Sequence, residues 1–454
     1  MRSAIILAAG KGTRMKSELP KVMHPILSEP MIVHITTHLS RIHVDQSIVV
    51  IGHKGEVIQD CLKESVLYAW QHEQMGTGHA VQQALPVLNE EGDTIILYGD
   101  VPCIQSETME KIFEENKDYD MSVYTAVLDD AKQYGRIVRD MQGNVSAIVE
   151  YKDCNESERL INEINTGIYC VKNKALHKYL KLLKNDNVQK EYYLTDLVSI
   201  IRENGGNVKA VVLDDVDEVQ GVNDRIDLAK ASKWIQTKIN THWMKEGVTF
   251  VDPNLSFVSL NTKLGKDVTI YPNVYCEHTN TIGNEVTLLP NTYLSNATIG
   301  NQVNIDASRI TDSEVGNEVN IGPYAHLRMH CVIADKNRIG NFVEMKKTQF
   351  GYDSRCAHLT YLGDSIVGSK VNMGCGVVTV NYDGKNKFQT IIEDGAFIGS
   401  NANLIAPIKV GKNAVVAAGS TIYEDVMEQD MAIARSKQVN KPGYGQRYKE
   451  KSKK

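Results

Sequence analysis

The chain reads as an α/β doubly wound domain followed by a parallel β-helix, with one long helix joining them. Three observations predict this. Residues 1–225 alternate short apolar runs with helix-compatible stretches, among them Ala4-Ile5-Ile6-Leu7, Ser47–Gly52 and Thr94-Ile95-Ile96-Leu97-Tyr98. Strands buried on both faces of a parallel sheet have this texture, and their alternation with helices builds a doubly wound fold. Residues 226–246 place Leu228, Ala231, Ile235 and Ile239 at three- and four-residue spacing ahead of Gly247, the pattern of one helix and its stop. At about 1.5 Å per residue such a helix would separate two lobes by ~30 Å. After Gly247, aliphatic residues recur every six positions, which signals a parallel β-helix.

Bulk properties agree with a multidomain soluble protein. A chain of 454 residues exceeds one ordinary core, so two or three domains are expected. With 23% charged and 42% hydrophobic residues, its composition is ordinary. The net charge of −6 argues against general nucleic-acid or membrane binding, and no apolar run reaches the ~18 residues of a membrane span. The eight cysteines form no Cys-x-x-Cys pair, which suits reduced thiols in the cytoplasm. The first apolar run is short and is followed by Lys11 and Arg14, unlike a signal peptide.

The first domain opens with Leu7-Ala8-Ala9-Gly10-Lys11-Gly12-Thr13-Arg14-Met15, then Pro20-Lys21. Gly10 and Gly12 let the backbone turn and approach a ligand, their peptide N–H groups can cradle phosphates, and Lys11, Arg14 and Lys21 add positive charge. The dinucleotide fingerprint fails because its third glycine is Met15, and no Gly-Lys-Ser/Thr of a Walker loop follows. Asp100, just past a buried strand, falls where ligands of open α/β sheets bind.

This stretch resembles the L-x-x-G-x-G-T-x-M-x4-P-K motif of sugar-1-phosphate nucleotidyltransferases. The resemblance implies that Leu7, Ala8, Ala9, Gly10, Arg14 and Lys21 hold a nucleotide. Tyr98-Gly99-Asp100 matches the family's strand-end acidic motif, and Asn223 its second metal ligand. A carboxylate and an amide oxygen beside phosphates suit Mg²⁺. Gln71, Gly76 and Thr77 match residues that read the pyrimidine base. Gly135, Glu150 and Asn165 match contacts to the amino sugar. Lys190 departs from the pattern, standing where the family usually has glycine.

In the second half the repeat is cleanest at Ile398, Leu404, Val410, Val416 and Ile422. Earlier copies include Ile282-Gly283, Leu288, Leu294, Val315-Gly316, Ile321-Gly322, Leu327, Val367-Gly368 and Met373-Gly374. Two stretches read as interruptions, Tyr352–Leu362 with His358, and Asn381-Tyr382-Asp383-Gly384. The last twenty residues hold eight Lys or Arg and one acid, Glu450, and read as a disordered, solvated tail. Resemblance to hexapeptide acyltransferases implies a left-handed helix and a homotrimer.

Gly340–Lys347, His358–Asp364 and Asn381–Gly384, together with the N-terminal motif, resemble one family across nearly the whole chain. It is the bacterial bifunctional glucosamine-1-phosphate acetyltransferases/N-acetylglucosamine-1-phosphate uridyltransferases. The resemblance implies acetyl-CoA and UTP as co-substrates. It divides the chain into a uridyltransferase domain at 1–225, a linker helix at 226–246 and an acetyltransferase β-helix with a basic tail at 247–454. His358 becomes the general base, oriented by Glu344. Arg328, Lys346, Tyr361 and Asn372 match the sugar-phosphate site. Cys375, Asn381, Tyr382, Ser400, Ala418 and Arg435 match the acetyl-CoA site. Met329-His330 replaces the usual Pro-Gly, and Cys375 a usual alanine. The alternative is a β-helix that serves only assembly. His358 with Arg328, Lys346 and Tyr361 discriminates, because a passive spacer needs none of them.

Overall fold

The computed structural model describes residues 1–451 and forms two compact units, Met1–Lys238 and a second beginning at Ile239. The division falls inside the helix Arg225–Lys245.

The first unit is built on a mixed sheet. Its strands, in chain order, are β1 (Arg2–Leu7), β2 (Gln46–Ile51), β3 (Leu67–Trp70), β4 (Asp93–Tyr98), β5 (Met121–Val127), β6 (Arg136–Arg139), β7 (Val145–Val149), β8 (Glu163–Lys172) and β9 (Val208–Val212). The spatial order is β9-β5-β8-β4-β1-β2-β3, with β6 pairing β8 and β7. β1 lies centrally, parallel to β2 and β4. Ala4 and Ile6 enter one core and Ile5 the other, which is why the run has no polar alternation. The helices Met31–Arg41 and Ser106–Glu115 feed the first core. The helix Thr77–Ala84 feeds the second. β8 departs from the all-parallel expectation, running antiparallel to both β4 and β5.

The second unit is the left-handed parallel β-helix. Successive coils each add a strand to three all-parallel sheets of eleven, ten and nine strands among the described residues. The repeat's aliphatic residues point into one continuous core: Ile282, Val315, Met373, Ile398, Val410 and Val416 are all buried there. Each such burial contributes roughly 1.5–3 kcal/mol. The glycines that follow have a steric cause. A Cβ on Gly300 would stand 2.6 Å from the Gly316 carbonyl carbon of the next coil.

Two readings need correction. Tyr352–Leu362 is no interruption, since Arg355–His358 is a strand paired in register with both neighbouring coils. Asn381 does begin an excursion, a loop closed by a bridge between Tyr382 and Lys387. The basic tail is not structureless over its described part, because Tyr444–Lys451 is helical.

Candidate active sites

In the first unit, β1 delivers the chain to the glycine loop. Gly12 has φ 60°, and a Cβ there would meet Lys21 Cβ at 2.5 Å, so only glycine lets the loop fold onto Lys21. The loop walls a cavity of about 360 Å³. Leu7, Ala8, Ala9, Gly10, Arg14, Lys21, Gln71, Gly76, Thr77, Tyr98, Asp100 and Asn223 all line it. Lys11 does not and is exposed. Gly99 does not line it either. Its N–H donates to the Leu7 carbonyl at 2.9 Å, and a Cβ would meet Val22 at 2.9 Å.

Four charged or polar groups converge on the cavity. The Lys21 ammonium bonds directly to the Asp100 carboxylate and stands 3.2 Å from Asn223 Oδ1. Arg14 donates to the same Asn223 oxygen at 2.7 Å. The Val222 N–H, donating to the Asp100 carbonyl at 2.8 Å, ties the two oxygen-bearing segments together. No group of three His, Cys, Asp or Glu gathers among the described residues. One carboxylate and one amide oxygen on a cavity wall fit the donor set of Mg²⁺, which completes its shell with phosphate oxygens and water.

Gly135, Glu150 and Asn165 do not line that cavity, but they come together just before β6, just after β7 and on β8. A Cβ on Gly135 would lie 3.5 Å from Glu150 Oε2, and the Asn165 N–H donates to the Gly135 carbonyl at 2.9 Å. β8 bulges between Asn165 and Ile168, which aims Asn165 off the ladder. Its carboxamide is pinned at both ends, by the Tyr169 hydroxyl at 2.7 Å and the Gly167 N–H at 3.1 Å. Burial pushes the Glu150 carboxyl up. Burial, and secondarily Asp153, push Asp196 up to about 6.

In the second unit the register does the assembling. Asn341 pairs with His358 directly. Cys356 pairs with Met373, Met373 with Ile398 and Ile398 with Val416. Two residues further along the chain from each of Cys356, Met373, Ile398 and Val416 stand His358, Cys375, Ser400 and Ala418. One corner therefore carries Asn341, His358, Cys375, Ser400 and Ala418 in a single column. The Asn401 N–H donates to the Cys375 carbonyl at 2.7 Å, and the Gly419 N–H to that of Ser400 at 2.8 Å. Arg435 extends the column by donating to the Ala418 carbonyl at 2.9 Å. Gly340 permits the stacking, since its Cβ would stand 1.9 Å from the Ala357 oxygen.

His358 is exposed, and its Nδ1 lies 2.7 Å from Asn341 Oδ1. Glu344 does not orient it. That carboxylate is taken by Arg328, which reaches it from Nε at 2.9 Å and from its terminal nitrogen at 2.5 Å. Asn341 was missed by sequence reasoning, although one coil's spacing ahead of His358 would have found it. Around the corner, Arg328 pairs in register with Lys346, and Glu344 with Tyr361. Lys346 is buried against Asp364 at 3.3 Å, and Asp364 also accepts from Asn381 at 2.5 Å. Lys387, in the excursion, was also missed. It hydrogen-bonds to Lys346, and that bond, with the Lys346 charge behind it, holds the Lys387 amine below its usual range. Asn372 pairs in register with Arg355, and Tyr382 is exposed on the excursion. Cys375 is half-buried on the outside of the coil, whereas burial pushes Cys356 up to about 12.

The nucleotidyl transferase family matches residues 3–244, and the hexapeptide repeat of succinyl-transferase matches 389–424. The bifunctional protein GlmU of Exiguobacterium sibiricum is 49% identical over 97% of this chain and 99% of its own length. That of Geobacillus thermodenitrificans is 48% identical over 100% and 99%. The chain belongs to the bifunctional GlmU family. GlmU of Listeria monocytogenes is 45% identical over 98% of both chains. As a GlmU the chain is a bifunctional enzyme with acetyltransferase and uridyltransferase activities, which together make UDP-N-acetylglucosamine. Its sequence departures have structural counterparts. Lys190 has φ 58°, a left-handed conformation that glycine adopts without strain. Met329 and His330 have φ 56° and 65°, both in the left-handed region, and proline cannot take the first value.

Proposed function

We propose that uridyl transfer occurs in the cavity of the first unit and acetyl transfer at the column of the second. UTP lies with its base at Gln71, Gly76 and Thr77 and its phosphates along Leu7–Gly10, Arg14 and Lys21. The amino sugar is held by Gly135, Glu150 and Asn165. A sugar-phosphate oxygen attacks the α-phosphorus, the bond to the β-phosphate breaks, and pyrophosphate leaves. No protein nucleophile is needed, so catalysis is positioning and charge neutralisation. Asp100 and Asn223 would hold Mg²⁺, which supplies Lewis acidity toward the triphosphate. Lys21 and Arg14, already in contact with those two residues, keep positive charge where phosphate charge must be met.

At the β-helix, the amine of glucosamine-1-phosphate attacks the thioester carbonyl of acetyl-CoA. A C–N bond forms, the C–S bond breaks, and the coenzyme leaves as its thiol. His358 takes the proton the amine loses, with Asn341 orienting its ring. Arg328, Lys346 and Lys387 meet the sugar's phosphate, with Tyr361 and Asn372 beside it. Cys375, Asn381, Tyr382, Ser400, Ala418 and Arg435 hold the coenzyme. The observation that supports the acetyl-transfer reading is the column, which stacks His358 in line with three of the coenzyme candidates, Cys375 on the next coil.

The enzyme works as a homotrimer. An apolar ridge of Tyr324, Phe342 and Leu359, all more than half exposed, runs beside His358 and supports a second copy there. UTP and acetyl-CoA place the reaction in the cytoplasm. The test is purified protein given acetyl-CoA, glucosamine-1-phosphate, UTP and Mg²⁺, with products separated by mass. N-acetylglucosamine-1-phosphate should form without UTP, and UDP-N-acetylglucosamine only when UTP and Mg²⁺ are present. Direct uridylation of the unacetylated sugar as the main product would overturn the order.

A further inference from the structure

Gln71 is 4% exposed and lies on the cavity wall. Its amide nitrogen stands 3.1 Å from the Gly76 carbonyl oxygen and 3.1 Å from His79 Nδ1. A carbonyl can only accept, so the amide end facing Gly76 is its NH₂. The second N–H then points at His79 Nδ1, which must present a lone pair. The ring proton is left on Nε2, 3.0 Å from the Gln83 side-chain nitrogen, which also donates to the His79 carbonyl at 3.3 Å; turning the Gln83 amide gives up that longer bond and brings its oxygen to accept from Nε2. Both Gln71 donors are thus consumed inside the protein. Oε1 is the end of the amide that remains for a ligand.

The frame around this pair is fixed. Gly76 has φ 107°, and a Cβ there would stand 2.6 Å from the Tyr192 oxygen. The Tyr192 N–H donates to the Met75 carbonyl and the Gly78 N–H to the Tyr192 carbonyl, both at 2.8 Å. His79 and Gln83 lie one turn apart on the helix Thr77–Ala84. The Gly76 carbonyl and the imidazole therefore act on Gln71 from rigid backbone.

We propose that His79 is a positioning residue that selects uracil over cytosine by holding Gln71 with its oxygen toward the base. The proposal rests on the reading of Gln71 as a base contact. Uracil carries a donor at N3 and an acceptor at O4; cytosine carries an acceptor at N3 and a donor at its 4-amino group. An amide oxygen facing the N3 position accepts from uracil and opposes the cytosine lone pair. Were the amide to flip, its NH₂ would suit cytosine instead. The flip would put Oε1 against both the Gly76 carbonyl and the Nδ1 lone pair, and these two acceptors together forbid it.

The test compares initial uridyl-transfer rates with UTP and CTP for the parent, Gln71→Ala, His79→Leu, His79→Gln and the double variant Gln71→Ala/His79→Leu. His79→Leu should narrow the UTP-over-CTP ratio of kcat/KM about tenfold, the scale of one hydrogen bond. KM for N-acetylglucosamine-1-phosphate should stay within twofold and acetyl transfer unchanged, which a general loss of structure would not allow. His79→Gln, which can offer an acceptor, should recover part of the ratio. The double variant should match Gln71→Ala alone. A ratio unmoved by His79→Leu, where Gln71→Ala narrows it, overturns the proposal and leaves the base contact standing. A ratio unmoved by Gln71→Ala overturns the base contact and the proposal with it.

Discussion

In the α/β unit most of the candidate site residues line a cavity, and they come from strand ends and loops as far apart as Arg14 and Asn223, 209 positions along the chain. In the β-helix they stand on an exposed corner, and Asn341, His358, Cys375, Ser400 and Ala418 follow one another at 17, 17, 25 and 18 residues. The first site is made by loops that happen to converge; the second is made by register, because each coil repeats the position of the last. The step of 25 contains the Asn381–Lys387 excursion, so the loop adds chain without shifting the column. The cavity already neutralises its own charge, Lys21 against Asp100. The corner leaves its candidate base in solvent.

The comparison predicts that each site can be broken alone, and the largest effect should come from the cavity. Asp100→Ala removes the carboxylate proposed to hold Mg²⁺ and leaves Lys21 without its carboxylate partner. Uridyl transfer should fall on the order of 10³-fold or more, the scale of losing a charge-stabilising group. Acetyl transfer on the same preparation should not change. Equal loss of both activities in folded protein would mean that the two sites are not separate.

The corner should break next. His358→Ala should lower acetyl transfer by ~10²–10⁴-fold, as for a lost general base. Asn341→Ala should lower it by about tenfold, one orienting hydrogen bond, through kcat and not through the KM for acetyl-CoA. Glu344→Ala should act instead on the KM for glucosamine-1-phosphate, because its partner is Arg328. If Glu344→Ala costs more kcat than Asn341→Ala, the geometry of the free chain is not the geometry of the reaction.

The two units also differ in how much of each was legible in the sequence. The hexapeptide spacing placed Ile398, Leu404, Val410, Val416 and Ile422 in the core correctly, because in a β-helix the period and the burial are one fact. It misread Tyr352–Leu362 as an interruption, since His358 and Tyr361 sit on outward positions that the repeat leaves open. Motifs located the cavity because they cluster at strand ends. They could not show that Gly99 packs against Val22 and does not line the cavity, nor that Tyr169, four residues from Asn165, pins its carboxamide. Such neighbours depend on a bulge in β8 and on cross-strand distances, which no local pattern encodes.

Burial sharpens the contrast through pH. Asp196 in the α/β unit titrates near 6, raised by burial and by Asp153. A carboxyl raised above its unfolded value of ~3.9 binds its proton more tightly in the folded state. Its contribution to stability is therefore present at low pH and is lost as pH rises from about 4 through 6. The side chain is only half-buried, so solvent screening limits the effect to about 1–2 kcal/mol. Asp196→Asn should raise amide protection in β1 and β4 at pH 8, and change it little at pH 4. A larger gain at pH 4 than at pH 8 would reverse the assignment.

The smallest effect should be the same in both units. Lys190 has φ 58° in the α/β unit and Lys370 φ 56° in the β-helix, and both side chains are exposed. A non-glycine residue in the left-handed region costs roughly 1–2 kcal/mol. Glycine removes that cost and adds about 0.5–1 kcal/mol of unfolded-chain entropy. Lys190→Gly and Lys370→Gly should each stabilise their own unit by about 0.5–1 kcal/mol, read from hydrogen exchange of β1 amides and of the Asn372–Met373 coil respectively. The backbone bonds at the two positions survive the change, from the Lys190 N–H to the Asn187 carbonyl and from the Lys370 N–H to that of Tyr352. Equal gains would mean that the lysine strain is purely conformational and indifferent to fold. A loss at Lys190 alone would mean that its side chain holds the neighbouring Glu191 on the cavity wall, and the uridyl-transfer rate should then fall with it.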